Sequence, residues 1–112
     1  MTKYKCKDVV LVDVVFSDGS GIKKRPALVL SSNEYHKSRR EVIIAAVTSN
    51  VHRVLCGDTK IKKWKEAGLL VPSLVTGIIQ TITGKLINRK LGVLEEEDFQ
   101  KVQKSLKRAV EL

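Results

Sequence analysis

The sequence predicts a mainly β, α+β fold: one small barrel or strongly twisted sheet with a helix packed on it. Three observations carry this. Short runs rich in β-branched residues recur along the chain, with Gly-rich or polar turns between several of them. A single amphipathic helical stripe closes it. The chain has 112 residues, which sets one domain over residues 1–112, with a core that needs neither metals nor disulfides.

The elements follow in order. Residues 9–16, Val-Val-Leu-Val-Asp-Val-Val-Phe, read as a strand. Ser17-Asp18-Gly19-Ser20-Gly21 is a loop, with glycines for positive φ and polar side chains that favour turns. Lys23-Lys24-Arg25 leads through Pro26 into a second strand at residues 27–30. Pro26 has no N–H for a ladder and belongs at a strand start or edge. Ser31-Ser32-Asn33-Glu34 is a turn or short helical cap. Residues 41–47 form an unbroken apolar run after Glu41, the signature of a buried central strand. It stops at Thr48-Ser49-Asn50. Residues 51–62 fit no single template. Residues 63–68 suggest a short internal helix with Gly68 as its C-cap. Further strands fall at residues 74–82 and 85–93. In the last segment Phe99, Val102, Leu106, Ala109 and Val110 recur at helical steps, with acids opening the helix and bases toward its end. Leu94 is a poor N-cap, so the start is placed only to within a residue or two.

The charge is +9, from 21 Lys and Arg against 12 Asp and Glu. Residues 95–112 hold five acids and four bases, a net −1, so residues 1–94 carry +10. A positive body with a near-neutral tail suits a polyanion bound by the folded domain itself, nucleic acid above all. Composition excludes other classes. Cys6 and Cys56 are the only cysteines and form no CxxC, so no zinc site is expected. The N-terminus lacks the apolar core of a signal peptide, and no apolar run is long enough to span a bilayer. A cytoplasmic protein with reduced thiols is the expectation.

Several enzyme templates fail. There is no GxSxG and no HExxH. Gly84-Lys85 has the wrong spacing for a phosphate loop, and Leu86 stands where Ser or Thr is needed. His36 and His52 are isolated. Two places survive. Lys23-Lys24-Arg25-Pro26 offers a guanidinium able to grip a phosphate bidentately, unless it is a solvated basic turn. Thr48-Ser49-Asn50 offers hydroxyls and an amide beside a reacting phosphate, unless it is only a polar strand end. If the strands at residues 27–30 and 42–47 are neighbours, Arg25 and Thr48 meet at one rim.

These residues resemble the MazF/PemK family of toxin–antitoxin ribonucleases. The matching stretches are Asp8-Val9-Val10-Leu11-Val12-Asp13, Phe16-Ser17-Asp18-Gly19-Ser20-Gly21, Lys23-Lys24-Arg25-Pro26-Ala27-Leu28-Val29-Leu30-Ser31 and Ala45-Ala46-Val47-Thr48-Ser49-Asn50. Trp64-Lys65-Glu66-Ala67-Gly68-Leu69-Leu70, Pro72-Ser73, Arg89-Lys90-Leu91-Gly92 and the terminal helix extend the likeness over nearly the whole chain. The resemblance implies an SH3-like barrel of the PemK/MazF/CcdB type with a short internal and a C-terminal helix, usually as a homodimer. It implies a sequence-selective endoribonuclease that cuts single-stranded RNA without metal or cofactor, leaving a 2′,3′-cyclic phosphate and a 5′-hydroxyl. DNA, lacking the 2′-hydroxyl, would bind without being cut. It also implies an antitoxin whose acidic, flexible tail lies in the RNA groove. By family position Arg25 is the catalytic arginine and Thr48 its hydroxyl partner. RNA contacts are expected from Ser17, Asp18, Gly19, Lys23, Lys24, Ser49, Asn50 and Gln80.

Three places in the chain depart from the family pattern. Lys7 stands where the family usually has Gly, Val15 where it often has Pro, and Ile78 and Gln80 where a Lys or Arg often lies near the groove. Two other readings compete with the ribonuclease: a non-catalytic barrel that binds RNA or an acidic peptide, and, by fold analogy alone, a CcdB-type gyrase poison.

Overall fold

The structure, a computed structural model, describes residues 3–15 and 18–112. Phe16 and Ser17 therefore lie outside the described residues. Strand β1 (Asp8–Val15) pairs antiparallel with β2 (Ile22–Val29) over seven registered positions, from Val9↔Leu28 to Val15↔Ile22. The basic segment expected to lead into β2 is part of the strand. Lys23, Lys24 and Arg25 stand opposite Val14, Asp13 and Val12, and Lys24 Nζ reaches Asp13 Oδ1 at 3.3 Å. Pro26 marks a boundary on the other edge of β2. The ladder to the next strand begins at Ala27, immediately after the residue with no N–H to give.

Ser32 caps the helix α1 (Asn33–Ser38), its side chain accepting the Tyr35 N–H at 3.2 Å. This is the short internal helix, at the place read as a turn or helical cap. Strand β3 (Glu41–Thr48) then lies between β2 and β5 (Leu74–Thr83), the central position its apolar run demanded. The segment that fitted no template holds β4 (Thr59–Lys60), two residues paired to β5. A single 3-10 turn at Gly84–Leu86 leads into β6 (Ile87–Val93), which returns to β1. The resulting order, β4-β5-β3-β2-β1-β6, is antiparallel throughout.

Alternation along the strands sends neighbours to opposite faces. Val9, Leu28, Ala45 and Val47 pack with Ile61, Ala67, Leu69, Leu94, Phe99 and Val102. Val10, Val12, Ala27, Val29, Val42, Ile44 and Ile87 form a second cluster that takes in Tyr4. Each large side chain so buried stabilises by about 1.5–3 kcal/mol.

Among the described residues the sheet does not close by hydrogen bonds between its edges β4 and β6. The chain leaving β4 crosses that gap instead. Residues 63–68 form turns rather than the expected helix, with Ala67 N–H on Lys63 O as their α-type bond. A Schellman arrangement then ends the segment. Gly68 N–H donates to Lys65 O, Leu69 N–H donates to Trp64 O, and Gly68 takes φ +84°. The glycine cap was legible in the sequence, and it comes too soon for a helix to form.

Helix α2 (Glu96–Val110) buries Phe99 and Val102, while Val110 is exposed. Its N-cap, Glu95, gives no side-chain bond. Asp98 in the first turn is only 2% exposed, and its two oxygens accept the Lys62 and Lys63 N–H groups at 3.1 and 2.9 Å. Asp98, one of the acids that open the helix, thus ties it to the segment that crosses the gap. Lys7 holds φ +81°, a left-handed backbone that explains why glycine is usual there. The turn survives with lysine in it. Lys7 N–H reaches Val29 O and Lys7 O accepts Leu94 N–H, both at 2.9 Å. The ammonium pairs with Glu96 and lies 5.4 Å from the Phe99 ring centroid.

Candidate functional site

Arg25 and Thr48 come from adjacent strands. The register Ala27↔Ala46, continued outward past Pro26, brings Arg25 level with Thr48 where β2 and β3 splay apart. Both line one cavity of about 530 Å³, with Leu11, Pro26, Val47 and Ser49 around them. Its far wall is the segment 68–71 that crosses the gap, together with Arg89 and Leu91 of β6. Leu70 is 93% exposed, which gives the cavity an apolar shoulder.

Thr48 Oγ1 accepts the Asn50 N–H at 3.2 Å. That bond fixes the oxygen and leaves the hydroxyl proton free to donate outward. Asn50 Oδ1 in turn accepts the His52 N–H at 3.3 Å, which leaves the Asn50 amide NH2 free to donate. The polar end of β3 is therefore a set of oriented donors.

The charges are arranged by pairing. Lys24, beside Arg25, is tied to Asp13 of β1; Lys90, beside Arg89, is tied to Asp8 of β1 at 3.3 Å. Among the described residues the side chains of Arg25 and Arg89 make no hydrogen bond or ion pair, and no carboxylate lines the cavity they share. Two uncompensated guanidiniums and the hydroxyls of Thr48, Ser49 and Ser73 thus border one concave space, with the Ser73 hydroxyl already donating to Val71 O. Guanidiniums match phosphate geometry bidentately, so the arrangement suits a phosphate-bearing polyanion.

The other expected site residues distribute as follows. Ser49 lies in the same cavity as Arg25 and Thr48. Asn50 lines a neighbouring one of about 350 Å³, which shares Thr48 and adds Arg53, Leu55, Cys56, Asp58 and Ile78. Asp58 is occupied there, accepting the Gly77 and Leu55 N–H groups at 2.9 Å each. Lys23, Lys24, Asp18 and Gly19 line neither cavity. Asp18 accepts the Ser20 N–H at 2.8 Å, and its hydrogen bonds with Ser20 hold its carboxyl below the ordinary value. Gln80 sits opposite Ile44, well down β5, and also lines neither. Ser17 lies outside the described residues. Arg89 is the residue sequence reasoning did not assign. It belongs to a matching stretch, but nothing in its spacing places it across from Arg25.

Cys6 and Cys56 are both free thiols. Burial pushes the Cys6 thiol up from its ordinary pKa. Among the described residues no group of three or more His, Cys, Asp or Glu side chains is placed to hold a metal ion. No helix among them is long and apolar enough to cross a membrane.

Fold and site together define a class: a small antiparallel barrel, closed by a crossing segment rather than by its sheet, with a cationic, hydroxyl-lined groove at one rim. The model of the PemK-like, MazF-like toxins of type II toxin–antitoxin systems matches residues 5–110, and the chain belongs to that family. No curated protein matches the sequence. Solved structures match the fold closely. The Mycobacterium tuberculosis toxin MazF-mt6 is 24% identical with a TM-score of 0.74, over 94% of this chain and 97% of that one. A MazE-MazF structure from Deinococcus radiodurans is 14% identical with a TM-score of 0.81, over 99% of each chain. An endoribonuclease in complex with its cognate antitoxin, from a mycobacterial species, is 16% identical with a TM-score of 0.79, over 97% of this chain and 96% of that one. At these identities the likeness concerns the fold.

Proposed function

We propose that this protein is a cytoplasmic, sequence-selective endoribonuclease toxin, acting on single-stranded RNA without a metal ion. The observation that carries the reading is the meeting of an uncompensated Arg25 with Thr48 in one groove. RNA brings its own nucleophile, so a protein of this kind needs no activated serine or cysteine. The ribose 2′-oxygen attacks the adjacent phosphorus, the 2′-O–P bond forms and the P–O5′ bond breaks. The 2′-hydroxyl proton leaves to solvent, and solvent protonates the departing O5′. The products carry a 2′,3′-cyclic phosphate and a 5′-hydroxyl.

Neither a histidine nor a carboxylate lines this groove, so its residues act by charge and position. Arg25 stabilises the negative charge that grows on the phosphorane, an effect of roughly a hundred- to a thousandfold for one well-placed donor. Thr48 donates to a phosphate oxygen and holds the ribose in line with its leaving group. Arg89 supplies a second cation to the flanking phosphate. Asn50, Arg53 and the smaller cavity beside Thr48 read one base, and the exposed Leu70, at the shoulder of the larger groove, gives a neighbouring base an apolar surface.

The same groove suits the acidic, flexible tail of an antitoxin, whose carboxylates would meet Arg25 and Arg89 and exclude RNA. A second copy of this chain packs on the exposed Leu55 and Ile78 at the mouth of the smaller cavity, extending the groove across a homodimer. Incubating the protein with a long single-stranded RNA in EDTA, followed by end-group analysis, tests the reading. Cyclic-phosphate ends are expected. RNA that is bound but never cut would leave a non-catalytic binding barrel.

A further inference from the structure

A further cavity, of about 640 Å³, lies apart from the groove that holds Arg25. It opens at the other end of β3, where α1, the start of β3 and the Gly84–Leu86 turn converge. Lys3, Lys37, Arg39, Arg40 and Lys85 line it against one acid, Glu41. Arg39 is partly committed, lying 3.9 Å from Glu41 and over the Tyr35 ring. Lys37, Arg40 and Lys85 have no side-chain partner among the described residues. Three unpaired cations converging on one concavity repel one another, and the core gains nothing from them. The arrangement is stabilised when phosphates occupy the space between them.

We propose that this cleft is a second phosphate-binding site, which holds the backbone of single-stranded RNA away from the scissile position. The proposal rests on the reading of the protein as an RNA-cleaving domain. Position supports it. Val42 at the cleft and Thr48 at the groove are six residues apart on β3, a separation of about 20 Å. Single-strand-binding barrels cover roughly 4–16 nucleotides, so one strand can engage both ends. Composition separates RNA from an acidic peptide. None of the exposed large apolar side chains lines the cleft, whereas peptide docking relies on apolar anchors. A nucleic-acid backbone is instead gripped by polar and cationic groups.

The test compares wild type with Lys37→Ala/Arg40→Ala/Lys85→Ala, none of which borders the Arg25 groove. The probes are uncleavable 2′-O-methyl RNAs of about 5 and about 16 nucleotides, spanning the footprints above. Their binding is followed by fluorescence anisotropy across salt, with thermal unfolding to establish that the variant is folded. For the longer strand the salt slope should fall by about 0.7 for each phosphate deprived of its cation, about 2 for all three, while the shorter strand binds as before. Arg40→Glu alone should reproduce the effect in part. Equal weakening of both lengths, or of neither, overturns the proposal, as does failure of the wild type to bind the longer strand more tightly. Loss of binding to a poly-glutamate peptide with RNA binding intact would assign the cleft to an acidic partner. Because the probes cannot be cut, a wild type that never cleaves RNA would defeat the enzymatic reading and leave this result standing.

Discussion

Gly68 and Gly92 approach so closely that neither position has room for a side chain. A Cβ on Gly68 would stand 2.1 Å from Leu91 O, and one on Gly92 2.5 Å from Ala67 O. This approach holds the segment that leaves β4 against β6, and so closes the barrel where the sheet itself does not. Gly68 and Leu91 also line the Arg25 groove, which makes the pairing part of its wall. Gly92→Ala should cost about 2–3 kcal/mol, in the upper range for overpacking. Gly68→Ala should cost more, since its φ of +84° adds strain of about 1–2 kcal/mol. Urea titrations of the two variants check this. A near-neutral Gly92→Ala would show that the two segments can part freely.

Asp98 explains how a helix without a side-chain N-cap stays in place. Its buried carboxylate satisfies two backbone N–H groups from the crossing segment. In Asp98→Asn one oxygen becomes an NH2 that faces a donor, leaving a buried N–H unmet. The loss should be about 2–3 kcal/mol. Equilibrium unfolding measures it, and a loss below about 0.5 kcal/mol, within the range of ordinary surface substitutions, would show that the bonds are dispensable.

The Lys7–Glu96 pair gives a pH dependence with a definite sign. The hydrogen bond to Lys7 lowers the Glu96 pKa, and the same bond raises that of Lys7. A carboxyl with a depressed folded pKa contributes stability above its ordinary value of about 4.3, lost as pH falls through the folded value. A lysine with a raised folded pKa contributes below its ordinary value of about 10.4, lost as pH rises through the folded value. Glu96→Gln should therefore lower the melting temperature at neutral pH and lose that effect in acid and in high salt. Lys7→Gly relieves the left-handed backbone while breaking the pair, so it should keep the fold. An unfolded Lys7→Gly would contradict the assignment of this turn.

Arg89 tests the groove independently of the family pattern. Arg89→Ala should reduce RNA cleavage roughly ten- to a hundredfold, chiefly through weaker substrate binding, since no strand-end hydroxyl stands level with it as Thr48 does with Arg25. Melting should be unchanged. Initial rates over a range of RNA concentrations separate the two parameters. Unaltered kinetics would place Arg89 outside the RNA path.

The Arg25–Thr48 relationship was legible because antiparallel register is arithmetic: two adjacent apolar runs, each ending in polar residues, bring those ends together. Gly68 was legible as a cap because positive φ favours glycine. Arg89 was not, because β6 pairs with β1 through two register shifts, at Val9/Val10 and Leu11/Val12, and such irregularities leave no local signature. A loose match puts Gln80 at the groove, but β5 carries it to the level of Ile44. Composition points to residues 63–68 for the internal helix, while the Ser32 cap sets it at Asn33–Ser38. Nor could the sequence show that Asp13 and Asp8 neutralise Lys24 and Lys90, since those pairings exist only once β1 lies between β2 and β6.

Whether the groove is an active site is decided by cleavage of a long single-stranded RNA in EDTA, with wild type beside Arg25→Ala and Arg25→Lys. Arg25 is exposed and unpaired among the described residues, so both variants should melt like wild type. Arg25→Ala should lose at least about a hundredfold in rate, and Arg25→Lys should recover only part of it, because an ammonium cannot grip a phosphate bidentately. Equal cleavage by wild type and a folded Arg25→Ala protein would contradict the assignment of the groove.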